Sequence, residues 1–251
     1  MKASIELRGK TYKTDFSKPL DISIGMRGDA KNPVAWYLGA PSISPVKDGD
    51  FIGKVSEGGS VNFNTIQFNP HAHGTHTECV GHISREFYSI NQQLKTFFFF
   101  SELISVTPEA IGEDQVISEA ILKQKFQDKD TEVLIIRTLP NFREKQTRKY
   151  SHTNWPYLSE AAAAYLRKSG IRHLLIDLPS VDKEKDGGKL LAHKAFWNYP
   201  KSTRFEASIT ELIYVPNAIE DGHYLLNLQF ASFENDASPS KPVLYRIEED
   251  I

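Results

Sequence analysis

Four histidines lie close together in this chain, at positions 71, 73, 76 and 82. The chain has eight histidines in 251 residues, so an even spread would place fewer than one in a twelve-residue window. Glu78 lies among the four. Imidazole nitrogens and a carboxylate oxygen form a ligand set suited to zinc, manganese or iron(II), because these ions accept nitrogen and oxygen donors together. The segment therefore predicts a metal site.

The spacing of these residues indicates an extended backbone. In an extended segment every second side chain points to the same side, so His76, Glu78 and His82 would lie together. A helix would instead place His76 and Glu78 about 200° apart. His71 or His73 could complete the ligand set, and the spacing alone leaves both open. The competing interpretation is a histidine-rich surface loop, or histidines that are hydrogen-bonded within a core.

Cys79 is the only cysteine of the chain. A single thiol excludes an intramolecular disulfide and a structural zinc site built on several thiolates. In the extended register Cys79 points to the side opposite Glu78, so we expect a small buried thiol rather than a metal ligand. Any metal must then be bound by imidazole and carboxylate groups.

The elements that must position this segment follow from the apolar runs. Runs rich in β-branched or aromatic residues predict strands that start near Pro19, Phe97, Thr131, Ile171 and Ser208. Two helices are predicted, one from Ser118 and one from Leu158 to Gly170 with Ser159 as its cap. A helix followed directly by an apolar strand is typical of an α/β layered domain. Since no repeat of fixed period is present, we expect residues 1–251 to form a single domain.

The composition excludes several classes of protein. Thirty basic and 32 acidic residues give a net charge of −2, so no overall positive field attracts nucleic acid or anionic lipid. The first residues lack the apolar core of a secretion signal, and no stretch approaches the roughly 18 apolar residues of a membrane span. We therefore expect a cytoplasmic protein that binds a small molecule, and no nucleic-acid or membrane partner.

The sequence HAHGTHTECVGH at residues 71–82 resembles the signature HxGTHxDxPxH of the cyclase family of metal-dependent hydrolases. This family includes bacterial kynurenine formamidase and isatin hydrolase. The Gly, the Thr and the two later His positions match in register. Three positions depart, because Glu78 replaces the Asp, Val80 replaces the Pro, and Ala72 stands where the family has its first His. Of the two histidines beside Ala72, we favour His71 as the substitute.

The resemblance covers most of the chain. The runs PLDISIGM, EVLIIRT and LLIDLPSVD look like strands of the family, and Asp177, at the end of one of them, is expected to support the site. His193 and Glu211 fall where the family carries a distal His and Glu at the metal. By itself His193 would be a histidine on a helix surface, and Glu211 an exposed, salt-bridged or metal-bound carboxylate. The implied fold is a single α/β domain of the swivelling β/β/α type, and the implied assembly is a homo-oligomer, a dimer or tetramer.

The function that the resemblance implies is that of a metal-dependent hydrolase, in which a metal-activated water cleaves an amide bond. The implied substrate is an aryl formamide such as N-formylkynurenine, or a cyclic amide. The cofactor would be one or two divalent ions, Zn²⁺ first and Mn²⁺ second. The implied metal ligands are His71, His76, Glu78, His82, His193 and Glu211. Of these, Glu78 and His82 are the implied catalytic residues, and the alternative is a non-catalytic metal-binding protein on the same scaffold.

Aromatic side chains are suited to stack on a substrate of this kind. The candidates are Trp36, Tyr37, Phe87 and Trp197, although each of these residue types is more often found in a core. The loop at residues 42–60 is expected to determine specificity.

Overall fold

The computed structural model describes residues 1–126, 128 and 130–250. Its strands are β1 (Lys2–Leu7), β2 (Lys10–Asp15), β3 (Leu20–Asp21), β4 (Ser42–Pro45), β5 (Lys47–Asp48), β6 (Phe51–Ile52), β7 (Asn64–Gln67), β8 (His76–Glu78), β9 (Phe98–Val106), β10 (Glu109–Ile111), β11 (Asp114–Ile117), β12 (Val133–Thr138), β13 (Tyr157–Leu158), β14 (His173–Ile176), β15 (Ser208–Glu211), β16 (Gly222–Phe230) and β17 (Ala237–Glu249). Its α-helices are α1 (Pro70–His73), α2 (Ile90–Gln93), α3 (Glu119–Lys125), α4 (Glu160–Lys168) and α5 (Leu191–Trp197). Short 3₁₀ helices cover Val55–Glu57, Val80–His82 and Arg143–Gln146.

Seven of the strands close into a barrel. Their order is β17, β16, β9, β12, β14, β15 and β8, and the ring closes because β8 pairs with β17 as well as with β15. Strands β9, β12, β14 and β15 run parallel, and the other pairings are antiparallel. Closure leaves these seven strands without a free edge in the ring. It also fixes the three-residue strand β8 from both sides.

The core has two parts, one on each face of the barrel wall. On β12 the side chains of Val133 and Ile135 belong to one buried cluster, while Leu134 and Ile136 belong to the other. The cluster with Leu134 and Ile136 includes residues of α3, α4 and α5, and the cluster with Val133 and Ile135 joins barrel strands to each other. Because β12 is buried on both faces, its sequence is a continuous apolar run rather than an alternating one.

Most of the predicted elements are present. The strands at residues 98–106, 133–138, 173–176 and 208–211 match the predicted apolar runs. Ser118 and Ser159 cap α3 and α4 by accepting hydrogen bonds from Ile121 and Ala162 backbone N–H groups. The run from Pro19 is a correction, because it forms only the short strand β3 and one further bridge, Ser23 to Ile213. Its next residue, Ile24, donates its N–H to a threonine side chain instead of a strand.

The helices of the described part of the chain are short, from four to nine residues. None of them has the length and hydrophobicity needed to cross a membrane. Residues of α3, α4 and α5 pack against the barrel in the buried cluster that contains Leu134 and Ile136.

Residues 42–67 form an arm that leads into the histidine segment. The arm consists of two small antiparallel pairs, β4 with β7 and β5 with β6. It carries exposed apolar side chains, namely Ile43, Phe51, Val55, Val61, Phe63 and Ile66. Strand β7 ends three residues before α1, so the arm is connected to the candidate site by a short segment.

His173, on β14, is a buried histidine outside the histidine segment at residues 71–82. Its Nδ1 lies 2.9 Å from Ser208 Oγ, its ring packs 4.5 Å from that of Phe99, and its Nε2 has no hydrogen-bond partner among the residues that the structure describes. Burial, together with the nearby charges of Arg172 and Arg204, lowers the pKa of His173 from 6.5 to about 3. In the unfolded chain this histidine takes up a proton as the pH falls below its ordinary pKa, whereas in the folded chain it stays neutral. Its contribution to stability is therefore complete above pH 6.5 and is lost as the pH falls towards 3.

We expect the substitution His173→Gln to reduce the acid sensitivity of folding. The glutamine can keep a hydrogen bond to Ser208 but cannot be protonated. Urea unfolding of the metal-free protein, measured at pH 7 and at pH 5, should show a loss of free energy of unfolding that is smaller in the variant by about 1–2 kcal/mol. An equal loss in the wild type and the variant would contradict the assignment of the low pKa to His173.

Candidate metal centre

Glu78 lies at the centre of a cluster of imidazoles, and its carboxylate is completely buried. Its Oε1 is 3.1 Å from His193 Nε2, and its Oε2 is 3.1 Å from His71 Nδ1 and 3.9 Å from His82 Nδ1. Strand β8 holds Glu78 in place, since Ile209 of β15 pairs with it on one side and Ala237 of β17 on the other. The structure therefore gathers residues from distant parts of the chain around one carboxylate.

His76 and Glu211 face each other across the pairing of β8 and β15. The His76 Nδ1–H donates to the Gly74 carbonyl at 3.0 Å, so its Nε2 points into the cluster, 3.5 Å from Glu211 Oε2. Glu211 Oε1 accepts a hydrogen bond of 2.8 Å from the Val181 N–H and lies 3.8 Å from His193 Nε2. The second oxygen of Glu211 therefore remains directed towards the histidines.

The two histidines that flank Ala72 take different positions. His71 reaches the cluster, whereas the His73 ring accepts a hydrogen bond from the Asn69 N–H and donates one to the Gly39 carbonyl, both at 2.9 Å. These two residues are two positions apart on α1, about 200° around the helix, so their side chains leave the helical turn in different directions. Of the two alternatives, it is His71 that the structure brings to Glu78.

His193 lies on α5 and is only 1% exposed. The surface position expected for it from the helix alone is wrong, because Trp197 and the cluster cover its ring. Its Nδ1 donates a hydrogen bond of 2.5 Å to Asp182 Oδ2, which leaves Nε2 for Glu78. The Asp182 carboxylate also accepts the backbone N–H groups of Ala192 and His193 at 2.7 and 3.2 Å. Asp182 thus fixes both the start of α5 and the orientation of His193.

His82 lies outside the extended segment predicted for residues 76–82. The strand ends at Glu78, and Val80–His82 forms a 3₁₀ turn. The turn needs a glycine at position 81, since a Cβ there would lie 2.2 Å from the Tyr88 carbonyl oxygen. It places the His82 ring parallel to that of His71, at 4.2 Å, and leaves 31% of its side chain exposed. His82 therefore lies at the solvent edge of the cluster.

Two carboxylates of the cluster were not found from the sequence. Asp182 lies in the run LLIDLPSVD, where only Asp177 was considered, and Asp236 follows β16 in a turn with no recognisable motif. Asp236 Oδ2 accepts a hydrogen bond of 2.8 Å from His71 Nε2 and lies 3.5 Å from His82 Nδ1. A signal for Asp182 exists in the sequence, because the run LLIDLPSVD, which looks like a strand of the family, ends at this residue.

Other sequence candidates take structural positions. Asp177 binds Lys145 Nζ at 2.7 Å and accepts hydrogen bonds from Thr138, so it fixes the end of β12 rather than a histidine. Trp197 is fully buried and donates its indole N–H to the Ala207 carbonyl. Tyr37 and Phe87 are exposed. Trp36 packs edge-on against a second tryptophan, with ring centroids 5.1 Å apart.

Cys79 is a buried thiol, as expected. It belongs to the apolar cluster on the other side of the strand, and burial raises its pKa to about 12. Its Sγ lies 3.4 Å from the Tyr88 carbonyl oxygen, which accepts its weak hydrogen bond.

The charges of the cluster depend on each other. Burial alone would raise the pKa of Glu78, but His82, His193 and His71 hold it well below its usual range. Burial lowers the pKa of His71, but the nearby carboxylates of Asp236 and Glu78 outweigh this effect and raise the pKa to about 10. Burial also lowers the pKa of His193, but the carboxylates of Asp182 and Glu78 outweigh burial. The pKa of His193 is therefore well above its ordinary value. The carboxylates thus require positive charge on or near the imidazoles.

The donor atoms fit a divalent metal ion. One nitrogen each of His71 and His76 and one oxygen of Glu78 lie within 4.8 Å of one another. His76 Nε2 and Glu78 Oε2 are buried and lack a hydrogen-bond partner in the described part of the chain. A buried nitrogen and a buried carboxylate oxygen without partners are costly unless a further group binds them. Two imidazoles and a carboxylate are ligands that zinc and manganese accept.

A closed barrel of parallel and antiparallel strands with helices packed against it defines an α/β protein, and its buried cluster of imidazoles and carboxylates is suited to a divalent metal ion. The sequence model of the family described as "Putative cyclase" matches residues 14–183, which include the segment from His71 to His82. The chain belongs to this family. The family predicted from the HGTH motif is therefore confirmed.

Individual relatives agree with this assignment over nearly the whole chain. The kynurenine formamidase of Bacillus anthracis is 24% identical over 230 residues, which cover 91% of this chain and 97% of that protein. An isatin hydrolase, solved with the product analogue thioisatinate, superimposes with a TM-score of 0.67 at 13% identity and covers 92% of this chain and 93% of its own. A structure described as a potential metal-dependent hydrolase with cyclase activity gives a TM-score of 0.65 at 16% identity, with 91% and 97% coverage. The predicted fold class is confirmed, and the prediction of a hydrolase acting on C–N bonds agrees with the activity named for the formamidase.

We expect the substitution Asp182→Asn to lower the free energy of unfolding of the metal-free protein by about 1–3 kcal/mol. The reason is that three N–H groups lose a charged acceptor, and the amide NH₂ of asparagine is itself a donor. Urea unfolding in the presence of a chelator measures this change. As a control, Asp48→Asn on the exposed strand β5 should change the value by less than about 0.5 kcal/mol. Equal midpoints for the wild type and Asp182→Asn would show that Asp182 does not hold α5.

Proposed function

We propose that this chain is a metal-dependent hydrolase that cleaves a carbon–nitrogen bond of an amide with a metal-activated water. The observation that carries the proposal is the buried carboxylate of Glu78, with two imidazole nitrogens beside it and an unpartnered oxygen directed at them. The membership of the cyclase family and the whole-length similarity to a kynurenine formamidase support the hydrolase class.

His71, His76 and Glu78 would hold the first ion, which leaves a coordination position for water. His82, His193 and Glu211 would hold a second ion, with Glu78 between the two. Zn²⁺ is our first choice and Mn²⁺ our second, because both accept imidazole and carboxylate together. The ligand geometry is compatible with one ion or two.

When bound, the ion lowers the pKa of a water and polarises the carbonyl of the substrate. The protein's own residues then have separate tasks. With one ion bound, His82, at the solvent edge of the cluster, would take the proton of the attacking water and pass it to the leaving nitrogen, whereas with two ions bound it would serve as a ligand instead. His193 is held by Asp182 with Nε2 directed at Glu78, so that Glu78 keeps its charge and its position.

For the substrate we propose an aryl formamide such as N-formylkynurenine, or a cyclic amide. The named activities of the relatives support this, since one is a kynurenine formamidase and another an isatin hydrolase. Phe68 and Phe233, whose rings lie 6.0 Å apart, are each three residues from a member of the cluster and are suited to contact an aromatic ring. The arm at residues 42–67 joins the cluster through Phe68 and is our candidate for the specificity region.

The alternative, a metal-binding protein without catalysis, rested on the departures from the family motif. The position of His71 beside Glu78 weakens that argument, because the missing first histidine has a substitute. We further propose that residues 1–251 form one domain, that the protein assembles as a dimer or tetramer, and that it acts in the cytoplasm.

We expect Glu78→Gln to bind little metal and to hydrolyse N-formylkynurenine more than about 100-fold more slowly than the wild type. The reason is that a ligand is lost, and losses of supporting residues alone reach about 10–100-fold. Elemental analysis of the purified proteins and a hydrolysis assay with zinc or manganese measure both effects. Glu86→Gln, at an exposed position nearby, should keep the metal and the activity. Hydrolysis at the wild-type rate by Glu78→Gln would refute the assignment, and a metal-loaded wild type that cleaves neither formamides nor cyclic amides would favour the non-catalytic alternative.

A further inference from the structure

The His71 ring lies between two carboxylates that contact different nitrogens. Its Nε2 is 2.8 Å from Asp236 Oδ2, and its Nδ1 is 3.1 Å from Glu78 Oε2. A neutral imidazole carries one N–H and one lone pair. Among the described residues only the contact to Asp236 has the geometry of a hydrogen bond, so in the neutral form of His71 that can bind a metal the proton belongs on Nε2 and the lone pair of Nδ1 faces the cluster.

His82, at the solvent edge, also has its Nδ1 nearest to Glu78 and Asp236, but the two fully buried histidines of the cluster use the opposite nitrogen. His76 donates from Nδ1 to the Gly74 carbonyl, and His193 donates from Nδ1 to Asp182, so each directs Nε2 at the cluster. His71 therefore differs from them in the nitrogen that it offers. This difference coincides with the position of His71 one residue before Ala72, which stands where the family signature has its histidine.

Asp236 is held rigidly with respect to Glu78. Its carbonyl accepts the Cys79 N–H at 3.0 Å, and the following residue, Ala237, pairs with Glu78 in the β8–β17 register. Asn235, on its other side, accepts the Ile90 N–H at 2.9 Å. The carboxylate that contacts His71 is thus attached to the same strand pair that carries the central ligand.

We propose that Asp236 is a positioning residue that fixes His71 in the tautomer with a free Nδ1, and so allows this chain to bind its metal without a histidine at position 72. The proposal rests on the proposed function in one respect only, the presence of a divalent ion at Glu78. A carboxylate that accepts the second N–H of a metal-bound histidine orients the ring and strengthens it as a ligand. Here that carboxylate comes from a turn 165 residues away in sequence.

The test compares the wild type with Asp236→Ala and Asp236→Asn in two measurements. Zinc affinity is measured by calorimetric titration of the metal-free proteins. The tautomer of His71 is read from ¹⁵N NMR spectra of zinc-loaded protein labelled at histidine, with His71→Gln used to assign its signals. Glu234→Gln, in the same turn but bound to Asn91 and Gln92, is the matched control.

We expect the wild-type spectrum to show His71 bound to zinc through Nδ1 with a protonated Nε2. Asp236→Ala should bind zinc about 10–100-fold more weakly, and its His71 should lose the single tautomer. Asp236→Asn keeps a carbonyl acceptor, so it should preserve the tautomer and recover part of the affinity. Glu234→Gln should match the wild type in both measurements.

Binding of His71 through Nε2, or unchanged zinc affinity and tautomer in Asp236→Ala, would overturn the proposal. A wild type that binds no zinc would overturn it together with the proposed function. A wild type that binds zinc through His71 Nδ1 but hydrolyses no amide would refute the proposed function alone. The zinc titration and the NMR spectra therefore test the role of Asp236, and the hydrolysis assay tests the proposed function.

Discussion

The buried carboxylate of Glu78 is the constraint on which the site depends. An isolated negative charge in this position would cost several kcal/mol, so the surrounding structure must supply positive charge or hydrogen bonds. Three imidazoles approach it from the histidine segment and from α5. Two of them are in turn held by carboxylates, His71 by Asp236 and His193 by Asp182. The barrel makes this arrangement possible, because β8 is fixed by strands on both sides. The fold thus holds in place groups that would otherwise repel one another or turn towards water.

The departure at position 72 is accommodated by local backbone geometry. The short helix α1 turns His71 towards Glu78 and His73 towards the loop at Gly39. The residue between them, Ala72, is fully buried and donates its N–H to Asn69. A small side chain suits this position, since it leaves room for the two rings that leave the turn on either side. The replacement of a family residue therefore need not remove a function when a neighbour on the same turn can reach the same place.

The sequence was sufficient for the features that leave a local signal. The apolar runs at residues 133–138 and 173–176 identified central strands, and the clustered histidines identified the site. The contacts of His71 with Asp236 and of His193 with Asp182 left no such signal, because they join residues far apart in the chain or depend on how a helix packs. The burial of His193 could not be read from its helix, since α5 has only seven residues, too few to define an apolar stripe, and its buried face includes His193 beside Ala192, Phe196 and Trp197. Likewise, the extended path expected as far as His82 ended early, because the pairing of β8 stops at Glu78 and a tight turn follows.

The long strand β17 has a consequence for synthesis on the ribosome. Its thirteen residues pair with β2, β3, β8 and β16, and the residue just before it contacts His71. Chains emerge from the amino-terminal end, so the histidine segment leaves the exit tunnel long before its last neighbour has been made. Until then β8 lacks one of its two pairing partners, and the acidic and imidazole groups remain accessible to water. Capture of the proposed metal ion is thus a late event of biogenesis, and a nascent chain that stalls before residue 236 has the candidate ligands in its sequence but not yet in one place.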